Sequence, residues 1–217
     1  MKLTTAVITA LLFAIVYYLG LIAINRIYKL NEDNKDPLIK DKVCLALLVV
    51  GIISSGIIAY FRFESMSLPV TIFTMVLMIF MPLLSVLDIK KQLIPNKILL
   101  IVLGIWILII GVFAIVNFSK LIPVLTSSLT GAIVAGATFM LCYILSKHQV
   151  GAGDVKLVFI MGLYMTGDRI IGAILYGSII CCIYSVVQMI RKKLTLKSGI
   201  PMVPFLYLGT IVTFFIL

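Results

Sequence analysis

The chain has 217 residues, of which 63% are hydrophobic and only 12% are charged, and its formal net charge is +10. Soluble domains are typically about 45–50% apolar and about 25% charged, so this composition excludes a soluble protein and predicts a polytopic membrane protein. The basic residues lie in short segments between apolar runs and form no basic tail, so we expect the lipid bilayer as a partner and no nucleic acid.

Seven apolar runs are long enough to predict membrane-spanning helices, which need about 18 apolar residues or more. In chain order they lie near residues 3–24, 43–60, 69–87, 98–117, 123–146, 169–190 and 200–217. An additional short helix is predicted near residues 153–166. The first run is too long for the apolar region of a signal peptide and has no clear cleavage site, so we predict a retained span. The expected fold class is therefore all-α, a single membrane domain over residues 1–217 with a bundle of about eight helices.

Lysine and arginine are distributed unevenly between the loops. Fourteen of the 18 lie in alternate loops, beginning with the first, and the other four are Lys2, Arg62, Lys120 and Arg169. Because positive charge is enriched in cytoplasmic loops, both termini are predicted to face outward across the cell membrane. The loops predicted to be cytoplasmic are 25–42, 88–97, 146–156 and 191–199.

Two of the eight acidic residues lie where an apolar run meets a cytoplasmic boundary. Asp88 opens the stretch "DIKKQLIPN", and Asp154 lies in "GAGDVKL". Pro95 disfavours helix at the residue before it, so a turn and a new helix near Asn96 are predicted. The remaining acids lie in the polar loop or in short turns, where a solvated charge needs no functional explanation.

The glycines on either side of Ala152, Gly151 and Gly153, allow backbone conformations closed to other residues and close approach of another segment. They do not predict a nucleotide site, because the third glycine of G-x-G-x-x-G is missing and no strand precedes them.

The two boundary aspartates admit several interpretations. Two facing carboxyl groups share one proton, so the ionised member can activate water while the protonated member polarises a peptide carbonyl. Such a site needs no metal or other cofactor. Alternatively, Lys90, Lys91 or Lys156 could neutralise ordinary boundary aspartates. Carboxylates within membranes also form proton or cation sites in transporters, although the internal repeat common in that class is missing here.

The four cysteines, Cys44, Cys142, Cys181 and Cys182, lie in apolar segments and form no C-x-x-C pair. Paired cysteines are the usual pattern of a zinc site, so no metal is expected and packing is the predicted role. The single histidine, His148, is interpreted as an interface residue of a polar loop.

Three segments resemble motifs of the type IV prepilin peptidases, membrane aspartyl proteases that include the archaeal preflagellin peptidases. "GAGDVKL" is similar to their G-x-G-D-x-K-L signature, and "DIKKQLIPN" is similar to their first aspartate motif. "IPMVPFLYLG", residues 200–209, resembles their P-x-x-P segment, and the resemblance covers about residues 80–217. It implies catalytic roles for Asp88 and Asp154, and supporting roles for Gly151, Gly153, Lys156, Pro95 and Asn96.

The resemblance also implies a substrate and a reaction. Family substrates are prepilin-like precursors (pilin, pseudopilin or archaellin-type) whose basic leader is cut at the cytoplasmic face before an apolar helix. Larger bacterial members carry a zinc-binding cytosolic insert with two C-x-x-C pairs and also N-methylate the mature pilin. Residues 25–42 stand in its place without cysteine, which implies a peptidase without methyltransferase activity. The sequence leaves a catalytically inactive assembly factor open as an alternative.

Overall fold

A computed structural model describes residues 2–28, 30, 41–64, 66–146, 151–192 and 199–216, apart from the side chains of Lys120 and Asp168. The described residues form helices and no strands, which confirms the predicted all-α class. The helices are α1 (Lys2–Tyr28), α2 (Lys42–Arg62), α3 (Leu68–Lys91), α4 (Asn96–Val116), α5 (Phe118–Leu145), α6 (Ala152–Ile190) and α7 (Val203–Ile216).

The sixth helix is broken in two at Thr166, whose φ of 64° and ψ of 171° are not helical. The short segment before the break, residues 152–165, is the helix predicted near residues 153–166. The segment after it includes the membrane-length helix Arg169–Ile190. Counting the two segments separately, the described part of the chain has the eight helices that the sequence predicts.

Six helices within the described residues are long and apolar enough to cross a membrane, one fewer than predicted. The seventh predicted span, residues 200–217, contains only the 14-residue helix α7. At about 1.5 Å per residue α7 extends about 21 Å, which is less than the roughly 30 Å of hydrocarbon in a bilayer. The helical part of this segment is therefore shorter than predicted, because residues 200–202 precede the helix without joining it. Its two ends still lie at opposite ends of the bundle, since Val203 contacts Asp88 and Phe215 contacts Arg62.

The third helix occupies the centre of the bundle. Residues 81–88 of α3 are all buried, so this stretch has no lipid-facing side. The outer helices behave differently: α4 buries only Ile98, Leu99, Val102 and Trp106 and presents its other faces outward. A residue at the carboxyl end of α3 is therefore held by neighbours on every side.

Small residues bring α6 close to α5 and α7. A Cβ atom at Gly162 would lie 2.5 Å from the carbonyl oxygen of Gly131, and one at Gly209 would lie 2.3 Å from the carbonyl oxygen of Ala173. Lipid tails are as apolar as the side chains, so helix association in a membrane depends on such close van der Waals packing. These two crossings fix both segments of α6 against rigid neighbours.

Charged side chains at one end of the bundle contact each other and the backbone. Lys2 forms a 2.9 Å ion pair with Glu64, and Arg62 donates a 2.8 Å hydrogen bond to the carbonyl oxygen of Phe215. The sequence assigns both cations to the outward side. Their grouping at one end agrees with the predicted alternation of the loops.

Some predictions fall partly or wholly outside the described residues. His148 and most of the 25–42 loop do so, although residues 25–28 belong to α1 and Asp41 caps α2. The prediction that the cysteines serve packing holds for Cys44, which is buried, but Cys142 and Cys182 are exposed on the outside of the bundle. An exposed thiol is compatible with lipid because cysteine is itself apolar.

Candidate functional site

Asp88 lies at the carboxyl end of α3 with its side chain only 6% exposed. The backbone N–H of Val203 donates a 2.9 Å hydrogen bond to Oδ2 of Asp88. The N–H of Met202 also faces this carboxyl group. The first N–H groups of a helix lack partners within that helix, so Asp88 supplies an acceptor that α7 requires.

Gln92 ends α3 and anchors the segment before α7. Its backbone is left-handed, with φ 47° and ψ 42°, and its N–H donates to the carbonyl oxygen of Asp88. Its side-chain Nε2 donates a 3.1 Å hydrogen bond to the carbonyl oxygen of Gly199. This contact ties residues 199–203 to the end of α3, and therefore positions the N–H groups that face Asp88.

Asp154 is the third residue of α6, which begins after the cap residue Gly151. Burial, followed by the negative charge of Asp88, raises the pKa of Asp154 from 3.8 to about 6, while the Gly151 N–H opposes the shift. A Cβ at Gly151 would lie 2.9 Å from Oδ2 of Asp154. Gly151 has an ordinary φ of −68°, so its role is to allow close approach and not an unusual conformation.

The structure brings Asp88 and Asp154 within electrostatic range of each other, since the charge of Asp88 acts on the pKa of Asp154. The lysines that could have neutralised them have other partners among the described residues. Lys90 pairs with Asp41 at 2.5 Å, and Lys91 donates to the carbonyl oxygen of Tyr28.

Lys156, the third candidate, donates a 3.1 Å hydrogen bond to Oδ1 of Asn96. This bond joins the "DIKKQLIPN" and "GAGDVKL" segments. Pro95 is the cap residue of α4, which begins at Asn96 as predicted. Gly153 packs against Ile94, where an added Cβ would lie 3.1 Å from the Cβ of Ile94. The supporting residues named from the sequence therefore lie in two segments, 94–96 and 151–156, that contact each other.

Sequence reasoning missed two groups: the Gln92 side chain, which bonds to Gly199, and the Val203 N–H, which bonds to Asp88. A signal for the second was present in "IPMVP", because Pro201 and Pro204 limit where a helix can begin and leave N–H groups free nearby. No comparable signal marks Gln92, because a left-handed glutamine has no sequence signature. Within the described residues no cluster of three or more His, Cys, Asp or Glu could hold a metal ion.

The raised pKa of Asp154 predicts a pH-dependent stability. Between pH 3.8 and about 6 the folded state holds more protons at Asp154 than the unfolded state, so stability falls as pH rises through this window. Thermal unfolding in detergent should show a loss of the order of 2–3 kcal/mol that is missing in Asp154→Asn. If the stability of the wild type and of Asp154→Asn changed with pH in the same way, the pKa of Asp154 would not differ between the folded and unfolded states.

Comparison with protein-family models matches residues 75–186 to the type IV leader peptidase family. The matched segment covers more than half of the chain and contains both aspartates. No curated protein and no solved structure matches the chain.

Proposed function

The chain belongs to the type IV leader peptidase family, and we propose that it is a membrane-embedded aspartyl endopeptidase that removes the basic leader from prepilin-like precursors. Asp88 and Asp154 are the catalytic residues in this proposal. The observation that carries it is the electrostatically coupled pair of carboxyl groups, Asp88 buried and Asp154 half-buried, inside the segment that the family matches.

The two aspartates have environments that suit different tasks. Burial disfavours a charge at Asp88 as it does at Asp154, but two backbone N–H groups face Asp88, and their hydrogen bonds stabilise its ionised form. Asp154 has its pKa raised to about 6, which favours the protonated form. We therefore assign the base to Asp88 and the acid to Asp154.

Hydrolysis then needs only water and the two carboxyl groups. Asp88 takes a proton from water as the water oxygen bonds to the scissile carbonyl carbon, and Asp154 gives its proton to the carbonyl oxygen. In the second half, Asp88 gives its proton to the leaving nitrogen as the C–N bond breaks. Asp154 recovers a proton from the tetrahedral hydroxyl group, so both residues return to their starting states.

The charge distribution supports a cytoplasmic site in the cell membrane of a prokaryote, with both termini outward. Fourteen of the 18 basic residues lie in loops on the side assigned to the aspartates. Lys90, Lys91 and Lys156 are described at that end of the bundle, and Lys2 and Arg62 at the other. Leaders that carry basic residues are retained on the cytoplasmic side by the same rule.

The direct test is cleavage of a precursor. Purified chain in lipid vesicles is mixed with a prepilin-like precursor that has a basic leader and an apolar helix, and the product is analysed by gel shift and mass spectrometry. We expect one cut before the apolar helix and a free, unmethylated amino terminus. An uncut precursor would refute the peptidase proposal, and a methyl group that depends on this chain would refute the absence of methyltransferase activity.

Activity should decrease on the alkaline side of a bell-shaped pH profile. As pH rises through about 6, Asp154 loses its proton and the pair loses its acid, so kcat/KM should fall about tenfold per pH unit beyond the apparent pKa. The alkaline fall of kcat should occur at higher pH than that of kcat/KM. The reason is that bound substrate removes water from the site, which disfavours a second negative charge there. Cleavage rates between about pH 5 and about pH 9 check this, and a flat profile would contradict it.

Gln92 offers a test of the anchoring contact that leaves the backbone turn intact. Glycine and asparagine adopt left-handed conformations more readily than glutamine. Gln92→Gly and Gln92→Asn should therefore keep the turn, but neither side chain can reach the carbonyl oxygen of Gly199. We expect about a tenfold or greater loss of kcat, because a small displacement of a catalytic group is costly.

Thermal stability and the pH–activity profile of these variants distinguish loss of the Gln92–Gly199 contact from loss of folded protein. We expect unchanged or higher unfolding temperatures. We also expect the acidic side of the pH–activity profile to shift, since the N–H groups that face Asp88 lose their fixed position. Gln92→Glu, whose carboxylate cannot donate to Gly199, should also be impaired. Wild-type kinetics in all three variants would show that the contact does not position Asp88.

A further inference from the structure

Resting on the proposed function, we propose that a groove between α4, α5 and the first segment of α6 binds the apolar helix of the precursor. The groove has a volume of about 610 Å³, within the range of roughly 300–1,000 Å³ common for binding sites. The residues that carry the argument are Asn96, Leu100, Leu103, Met140, Lys156 and Phe159.

The groove has one polar end and an apolar body. Its polar end is the hydrogen bond between Lys156 and Asn96. Beyond it, the exposed side chains of Leu100, Met140 and Phe159 form an apolar surface between the three helices. This pattern fits a segment whose chain is polar at the cleavage site and apolar immediately after it.

The direction of the groove follows from the directions of its helices. Both α4 and the first segment of α6 start at the aspartate level and run into the bundle. From Asn96 to Leu103 the wall on α4 extends about 10 Å. Beside its inner end the buried Tyr164 hydroxyl donates a 2.6 Å hydrogen bond to the carbonyl oxygen of Val102, which joins α4 to α6 there.

Continuity with the proposed active site selects the occupant. Neither aspartate lines the groove itself, but its polar end joins the two segments that carry them, since Lys156 bonds to Asn96. A precursor cut just before its apolar helix must place that helix directly below the two aspartates. A second apolar groove, on the other face of α4, is lined by Ile24, Leu83 and Ile101 and includes no residue of α6. The second groove therefore has no wall on the helix that carries Asp154.

Adjacent residues on α4 provide a matched pair of variants. Leu100 is 65% exposed and lines the proposed groove, whereas Ile101 is 56% exposed and lines the second groove. Leu100→Trp fills the first groove, and Ile101→Trp adds the same bulk on the other face. The two substrates are a precursor with its apolar helix and a peptide that contains the leader and cleavage site but ends before the helix.

We expect Leu100→Trp to raise KM for the precursor about tenfold, equivalent to about 1.4 kcal/mol, with kcat little changed. Its cleavage of the short peptide should equal that of the wild type, and Ile101→Trp should leave both substrates unaffected. An effect on the precursor from Ile101→Trp alone would place the helix in the second groove. Equal behaviour of both variants would also overturn the proposal.

Crosslinking measures the contact without turnover. A photoreactive residue at position 100 or 101 in the full-length Asp88→Asn chain should capture the precursor from position 100 and not from 101. If the wild-type enzyme cleaves the precursor but positions 100 and 101 behave alike, the groove is wrong and the peptidase proposal stands. If the wild-type enzyme does not cleave it, the peptidase proposal fails and the groove, which depends on it, fails with it.

Discussion

Asp88→Asn and Asp154→Asn should each lower the rate of precursor cleavage by about 10³-fold or more while the protein still inserts and folds. Asparagine keeps the shape of aspartate but cannot ionise, so neither variant can exchange protons with water and substrate. At Asp88 the amide oxygen can still accept the Val203 N–H, which preserves the beginning of α7. Cleavage by purified protein in vesicles, with the amount of folded protein matched by gel filtration, measures the effect.

The double variant should be no slower than either single one, because the two carboxyl groups act as a unit. Glu64→Gln is a control with the same chemical change. Glu64 pairs with Lys2 at the opposite end of the bundle, where both side chains are more than half exposed, so its loss should be nearly silent. A chelator should leave the wild-type rate unchanged, since the mechanism uses no metal. Substantial cleavage by either single variant would refute the aspartyl mechanism.

Gly162→Ala should destabilise the protein and slow cleavage, although Gly162 touches neither aspartate. Its added Cβ would meet the carbonyl oxygen of Gly131 at 2.5 Å and the backbone of Ala132 at 2.6 Å. Backbone atoms cannot turn aside as a side chain can, so α5 and α6 must separate. We expect about 2–4 kcal/mol of destabilisation. Because the first segment of α6 also carries Asp154, we expect a loss of roughly 10²-fold in rate.

Gly104→Ala is the matched control for this crossing. A Cβ at Gly104 would find no heavy atom within 4 Å, and the residue lies within α4. Alanine favours helix over glycine by up to about 1 kcal/mol, so this variant should be as stable as the wild type or slightly more stable. Unfolding temperatures and cleavage rates of the two variants, measured side by side, check the prediction. Equal stability of the two variants would show that α5 and α6 can move apart at Gly162 without cost.

The sequence was sufficient to predict the helices and to single out the two boundary aspartates for a simple physical reason. An apolar run of membrane length has few alternatives to a helix, and a charge at its boundary requires an explanation. The start of α4 at Asn96 was equally predictable, because Pro95 restricts the local backbone whatever surrounds it. These features depend on local constraints that a single segment carries.

The contacts that complete the site depend on tertiary packing and were not predictable in the same way. The left-handed Gln92 is held by its bond to Gly199, which is distant in sequence. The break at Thr166 occurs where α5 packs against α6, since a Cβ at Gly131 would also lie 2.8 Å from the backbone of Thr166. The seventh helix is shorter than predicted for a related reason: hydropathy cannot detect that residues 200–202, which lie at the end of α3, are not helical.

The hydrogen bond from the first residue of α7 to Asp88 has a consequence for biosynthesis. Because α7 follows both aspartates in the chain, a nascent polypeptide can insert α3 and the first segment of α6 before Val203 has been translated. Such an intermediate has both acids but lacks the donor that favours ionisation of Asp88. On the proposed mechanism its base is incomplete, so we expect proteolytic activity to appear only after α7 has inserted, which would protect neighbouring proteins from partly synthesised chains.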